Sequence, residues 1–192
     1  MSVRHALLAL LEQQPMYGAQ LRTEFESRTG STWPLNIGQV YTTLNRLERD
    51  GLVESRGADS DGHPLYALTE QGRAEVADWF DAPVARAQPP RDELAIKLAI
   101  AVTLPRMDVA AMVQRQRTAT MAALQDYTRL KRQATASDAT ADLAWSLVLD
   151  SLVFAAEAEI RWLDHCEARL RRVAREAAPA TSPAAIREET VR

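Results

Sequence analysis

The chain has 192 residues, of which 46% are hydrophobic and 26% charged. That balance predicts a folded protein with a real core and argues against disorder. No apolar run approaches the roughly 18 to 20 residues that span a bilayer, and the segment after the apolar start, Glu12-Gln13-Gln14-Pro15, is a poor leader-cleavage site. The expectation is therefore a cytoplasmic protein. The single cysteine, Cys166, cannot form an intrachain disulfide, in keeping with a reducing compartment. Net charge is −3, and residues 1–83 carry seven arginines against twelve acids. Any polyanion binding must then depend on where charges lie rather than on their sum.

Ser2 opens a first helix with Val3, Ala6, Leu7, Leu10 and Leu11 at helical spacing, and Pro15 stops it. A second helix is predicted from Tyr17-Gly18 to about Arg28, burying Leu21 and Phe25. Pro34 forces Trp33 into extended angles. Asn36 then caps a third helix, with Gln39 placed to complete a reciprocal exchange. Ile37, Val40, Leu44 and Leu47 form its inner stripe and Gly51 its stop, while Gln39, Tyr41, Thr42, Asn45, Arg46 and Arg49 lie opposite.

Two strands follow, Leu52 to Arg56 and Leu65 to Leu68, joined by the Gly-punctuated Gly57-Ala58-Asp59-Ser60-Asp61-Gly62-His63-Pro64. Thr69 caps a fourth helix carrying Val76, Trp79 and Phe80. Three helices, a hairpin and a helix in this order make a winged helix-turn-helix. The fold class expected is mainly α with a small β-hairpin, the winged domain occupying residues 1–82.

Prolines punctuate a linker over 83–91. Beyond it the pattern is helical over 92–175. A short helix carries Leu94, Leu98 and Val102, and a long one Val109, Met112, Val113, Leu124, Tyr127 and Leu130. After a polar turn at 135–140, a second long helix to about 175 carries Leu143, Leu147, Phe154, Trp162, Leu170 and Val173. Apolar positions on so long a helix need a partner, most simply a second copy, so a homodimer is expected. Residues 176–192, rich in Ala, Pro, Ser and Thr, read as a disordered tail.

The runs Leu7-Leu8-Ala9-Leu10-Leu11, Pro15-Met16-Tyr17-Gly18-Ala19-Gln20-Leu21, Trp33 through Tyr41, Leu44 through Val53 and Tyr66-Ala67-Leu68-Thr69-Glu70-Gln71-Gly72-Arg73 together resemble the PadR family. Asp92-Glu93-Leu94-Ala95-Ile96-Lys97-Leu98 and Ala158-Glu159-Ile160-Arg161-Trp162-Leu163 are similar to the helical extension of its larger subfamily, seen also in virulence-activator-like regulators. The resemblance implies a dimeric repressor whose C-terminal helices pair and which leaves DNA when a small effector or partner is sensed. Three departures stand out. The wing offers Asp59, Asp61 and His63 where the family often has basic residues. Thr42 stands where proline is frequent, and the second helix opens Tyr17-Gly18-Ala19 rather than with an aromatic or His followed by Gly-Tyr.

Phosphate neutralisation supplies affinity and base edges supply sequence choice. The start of the third helix suits both, because its free N–H groups favour a phosphate. Gln39, Asn45 and Arg46 can make bidentate contacts to adenine or guanine, and Tyr41 and Thr42 can donate hydroxyl hydrogen bonds. Asn36 and Tyr17 stand at helix starts, and Arg56 and His63 are the available wing grips. The partner expected is double-stranded DNA, with two such helices about 34 Å apart over a palindromic operator.

Trp145, Phe154 and Trp162 are candidates for stacking an aromatic or hydrophobic small-molecule effector between subunits, core packing being the competing role. His165-Cys166 supplies no chelating set and a sensing thiol would need a lowered pKa, so no metal and no cofactor is expected. The sequence holds no phosphate-cradling glycine loop, no HExxH and no nucleophile elbow, which argues against an enzyme. The alternative function is a helical dimer whose winged domain binds protein or ligand with little DNA affinity. A small-molecule binder without regulatory output is a third.

Overall fold

The computed structural model describes residues 2–85, 91–134 and 140–177. The predicted linker residues 86–90, the turn at 135–139 and the tail from 178 lie outside them. Nine elements follow in order: α1 (Ser2–Leu10), α2 (Gly18–Arg28), α3 (Ile37–Arg49), β1 (Val53–Ala58), β2 (Pro64–Leu68), α4 (Glu70–Asp81), α5 (Glu93–Ala101), α6 (Val109–Ala134) and α7 (Thr140–Ala177). No helix among the described residues is long and apolar enough to cross a membrane.

The chain divides into two compact units. Among the described residues, the first holds 2–85 together with 128–134 and 140–151, and the second holds 91–127 and 152–177. In the first, Leu7 and Leu8 of α1, Leu21 of α2, and Val40, Leu44 and Leu47 of α3 are almost fully buried with Met16, Leu52, Val53, Tyr66, Leu68 and Val76. This is the three-helix core that the apolar spacing requires. Ile37, the first residue of the predicted inner stripe, is instead 37% exposed, because the opening turn of α3 projects past the edge of that core.

β1 and β2 form an antiparallel pair with Val53 opposite Leu68, Glu54 opposite Ala67 and Ser55 opposite Tyr66. The register slips between Ser55 and Ala58, where Gly57 adopts φ +82°. This bulge carries the strand two residues beyond its predicted end at Arg56. Met16 extends the sheet by one bridge, exchanging backbone hydrogen bonds with Tyr66 at 3.1 and 3.0 Å. The loop before α2 is thereby stitched to the wing.

Gly72 fixes how α4 meets the hairpin. A Cβ there would fall 2.1 Å from the Leu52 carbonyl oxygen, so only glycine allows the approach. Thr69 caps α4 as predicted, accepting from Gly72 N–H at 3.0 Å while its hydroxyl donates to the Gly51 carbonyl. At the far end of α2, Gly30 (φ +56°) lies against the Trp145 ring of α7, so close that a Cβ would overlap it. Lys131 of α6 pairs with Asp150 of α7 in the same unit.

In the second unit α5, α6 and α7 pack around Leu98, Val113 and Leu163, with Leu94, Val109, Met112, Trp162, Cys166 and Leu170 alongside. Asp92 and Asp108 cap α5 and α6 through hydrogen bonds from Ala95 and Ala111 N–H. Val102, expected on the inner face of α5, is its C-cap and is exposed, because the helix ends at Ala101 before that face can continue. Arg117 to Asp164 at 2.6 Å and Gln116 to Glu159 at 2.9 Å join α6 to α7.

Candidate nucleic-acid interface

The solvent side of α3 presents Gln39, Thr42, Asn45 and Arg46, all exposed, above the fully buried Val40, Leu44 and Leu47. Asn36 caps the helix in an extended conformation (φ −73°, ψ 132°). Its side-chain oxygen accepts from Gly38 N–H at 2.8 Å rather than from Gln39, whose N–H bonds the Asn36 carbonyl at 3.0 Å. The short carboxamide reaches the second helical amide in place of the predicted exchange with Gln39. Neither Gln39 nor Asn45 has a side-chain hydrogen bond to the described residues, so both carboxamides are open. Thr42 differs: its hydroxyl donates to the Gly38 carbonyl at 2.8 Å, the usual back-bonding of a threonine within a helix. Only its lone pairs face outward.

Ion pairs sort the arginines. Arg4 bonds Asp50 at 2.8 Å, Arg22 lies 3.7 Å from Glu26, and Arg28 lies 3.3 Å from Glu24. Arg49 bonds Asp50, Arg56 bonds Glu54 at 2.8 Å, and Arg73 reaches Glu70 and Glu12. Arg46 alone among the arginines of residues 2–85 has no carboxylate partner in the described residues. The paired arginines lie away from the exposed middle of α3, where Arg46 stands. Exposed pairs are worth about 0–1 kcal/mol each, so Arg56 could be recruited at small cost, whereas Arg46 needs no such exchange.

The aromatic candidates have structural duties. Tyr41 is half-buried and its ring lies over Gly18, where a Cβ would come within 2.8 Å of it. The absence of a side chain at Gly18 lets α2 and α3 approach. Tyr17 is the N-cap residue of α2, its N–H donating to Gln20 Oε1 at 3.1 Å. Its ring stacks on His63 of the wing, with centroids 5.0 Å apart and planes 21° from parallel. That contact, together with the Met16 bridge, holds the wing against the start of α2.

Asp59 organises the wing tip, a role the sequence reading overlooked although its Asp-x-Asp-Gly pattern signals a turn. Its carboxylate accepts from Asp61 N–H at 2.9 Å and His63 N–H at 2.8 Å, and lies 3.0 Å from His63 Nδ1. These bonds, led by the His63 amide, hold the Asp59 carboxyl below the usual carboxylate range. Asp59, Asp61 and His63 bring their ligand-type atoms within 4.8 Å of one another. The Asp59 oxygens are already engaged in closing the turn.

Trp145 lies on Gly30 in the first unit, and Phe154 is 65% exposed. Trp162 lines a cavity of about 580 Å³ in the second unit with Leu98, Val113, Cys166, Arg169 and Leu170. Burial pushes the Cys166 thiol up, against a smaller opposing influence of Arg169, so the thiol is not primed as a thiolate.

Comparison with known proteins gives a consistent picture of its kind. Residues 7–78 match the transcriptional regulator PadR-like family, and residues 90–171 match the C-terminal region of virulence activator alpha. A probable transcriptional regulator of Mycobacterium tuberculosis is 30% identical over 182 residues, spanning 85% of this chain and 95% of that protein. The negative transcriptional regulator PadR of Bacillus subtilis is 24% identical over 170 residues, spanning 84% and 93%. Crystal structures of that PadR resemble this one with a TM-score of 0.68 in complex with operator DNA and 0.71 in complex with p-coumaric acid, each at 22% identity. The first covers 88% of this chain and 97% of PadR, and the second 89% and 99%. These relatives are regulators of transcription, not enzymes. The chain belongs to the PadR-like family of transcriptional regulators.

Proposed function

We propose that the chain is a homodimeric repressor that reads a palindromic operator with α3 and is released by a small-molecule effector. The observation that carries this is the outer face of α3, where Arg46, with no carboxylate partner among the described residues, stands with the open carboxamides of Gln39 and Asn45. Those are the side chains suited to bidentate recognition of guanine and adenine. PadR of Bacillus subtilis, with the same fold, has been crystallised with operator DNA and with p-coumaric acid and is a negative regulator. In this reading residues 1–82 bind DNA, 83–91 link, and 92–175 serve dimerisation and effector binding in the cytoplasm. Leu143, Leu147 and Phe154 recur on one face of α7 and are 59%, 61% and 65% exposed. A second copy of α7 would cover that stripe.

A gel shift against the chain's own promoter region at two salt concentrations tests the proposal. Specific binding that weakens as salt rises is expected. The acidic wing tip, with Arg56 tied to Glu54, favours the alternative that the winged domain binds protein or ligand. No retarded band at either salt would select it.

A further inference from the structure

A cavity of about 320 Å³ opens between α6 and α7 within the second unit, at the small end of ligand pockets. Four polar side chains, Gln116, Thr120, Tyr127 and Glu159, line it, beside small residues such as Ala123 and Ala155. None of the lining residues is basic. Thr120 is the one buried polar residue of the described chain, and its hydroxyl donates to Glu159 Oε1 at 2.5 Å. Gln116 Nε2 donates to the same oxygen at 2.9 Å and to Thr120 Oγ1 at 3.3 Å.

This network orients the Glu159 carboxylate by one oxygen. The other oxygen, Glu159 Oε2, and the carbonyl oxygen of the Gln116 side chain have no partner among the described residues. The site thus offers oriented acceptors, one of them a carboxylate, with the Tyr127 ring available to a cation. An anionic ligand would meet Glu159 with no basic residue in the lining to neutralise it.

We propose that this cavity is the effector site and that it takes a small aromatic amine in its protonated form rather than an aromatic acid. The ammonium group bonds Glu159 and Gln116, and the ring rests on Tyr127 and the alanines. This rests on the reading of the chain as an effector-released regulator. At about 100° per residue, Leu152, Ala155 and Glu159 lie on the side of α7 opposite Leu143, Leu147 and Phe154. Pairing through that exposed stripe therefore leaves the cavity open.

The test is calorimetry on the full chain, without DNA, using tyramine, benzylamine and p-coumaric acid. Both amines are expected to bind with Kd below about 1 mM and at least about tenfold more tightly than the acid. Glu159→Gln keeps the shape and the Thr120 contact but removes the charge, and should weaken amine binding about tenfold or more. Ala155→Leu, on an exposed rim position, should block the cavity while leaving the melting temperature in place. Absence of amine binding, equal binding of the acid, or unchanged affinity in Glu159→Gln overturns the proposal. A change of oligomer size in Glu159→Gln without a change in amine affinity would give this face to a second copy and overturn it as well. Because DNA is absent, failure here and failure of the promoter gel shift are separate results.

Discussion

Asp50, the C-cap residue of α3, collects both Arg4 and Arg49, leaving Arg46 one turn earlier with no carboxylate to answer it among the described residues. Arg46→Ala should therefore cost little stability. It should weaken operator binding by about 1–3 kcal/mol, roughly 5- to 150-fold, with the dimer intact. Fluorescence anisotropy beside size-exclusion chromatography measures both, and unchanged affinity would remove Arg46 from the contact. Hydrogen bonds from Arg4 first, and then Arg49, hold the Asp50 carboxyl below the usual carboxylate range. A lowered folded value stabilises the protein above the unfolded value and loses that stabilisation as pH falls through the folded one. Asp50→Asn should thus melt earlier at neutral pH, and the gap from the parent should close in melts taken below about pH 4. The exposed face of α3 was legible in the sequence, since Gln39, Asn45 and Arg46 follow from helical spacing. Which arginine would be free was not, because Arg4 meets Asp50 across 46 positions of chain.

Elements were legible where periodicity was strong. The buried trio Val40, Leu44 and Leu47 and the caps Asn36 and Thr69 stand where their residue types place them. The wing was harder to read. Its strand end depends on the slip at Gly57, and its attachment depends on the Met16 bridge and the Tyr17–His63 stack, none of which is local in sequence. Gly72 looks like an ordinary helix residue until α4 is set against the Leu52 carbonyl. Gly72→Ala adds helix propensity, yet the overlap dominates, and thermal melts should show a loss of about 1–3 kcal/mol or more. A variant as stable as the parent would mean that α4 can back away from the hairpin freely.

For the whole molecule, the long helices could be read from apolar spacing and proline placement. The grouping of residues 128–151 with the N-terminal elements could not, because it is expressed in contacts such as that of Trp145 with Gly30. The same limit applies to Trp145, whose place on Gly30 no local pattern announces. At this scale the exposed stripe of α7 carries the expectation of a dimer. Leu147→Asp should split it and abolish operator binding indirectly, with helicity retained. Analytical ultracentrifugation decides this, and a dimer that persists would move the interface elsewhere. The pairing of the arginines also has a bearing on how such a protein would search. Retention on duplex of the wrong sequence comes from cations resting on phosphates, and here carboxylates already hold most of those cations. Each of these weak pairs must be exchanged before its arginine can rest on a phosphate, so hold on unrelated duplex should be somewhat looser than the number of arginines alone would give.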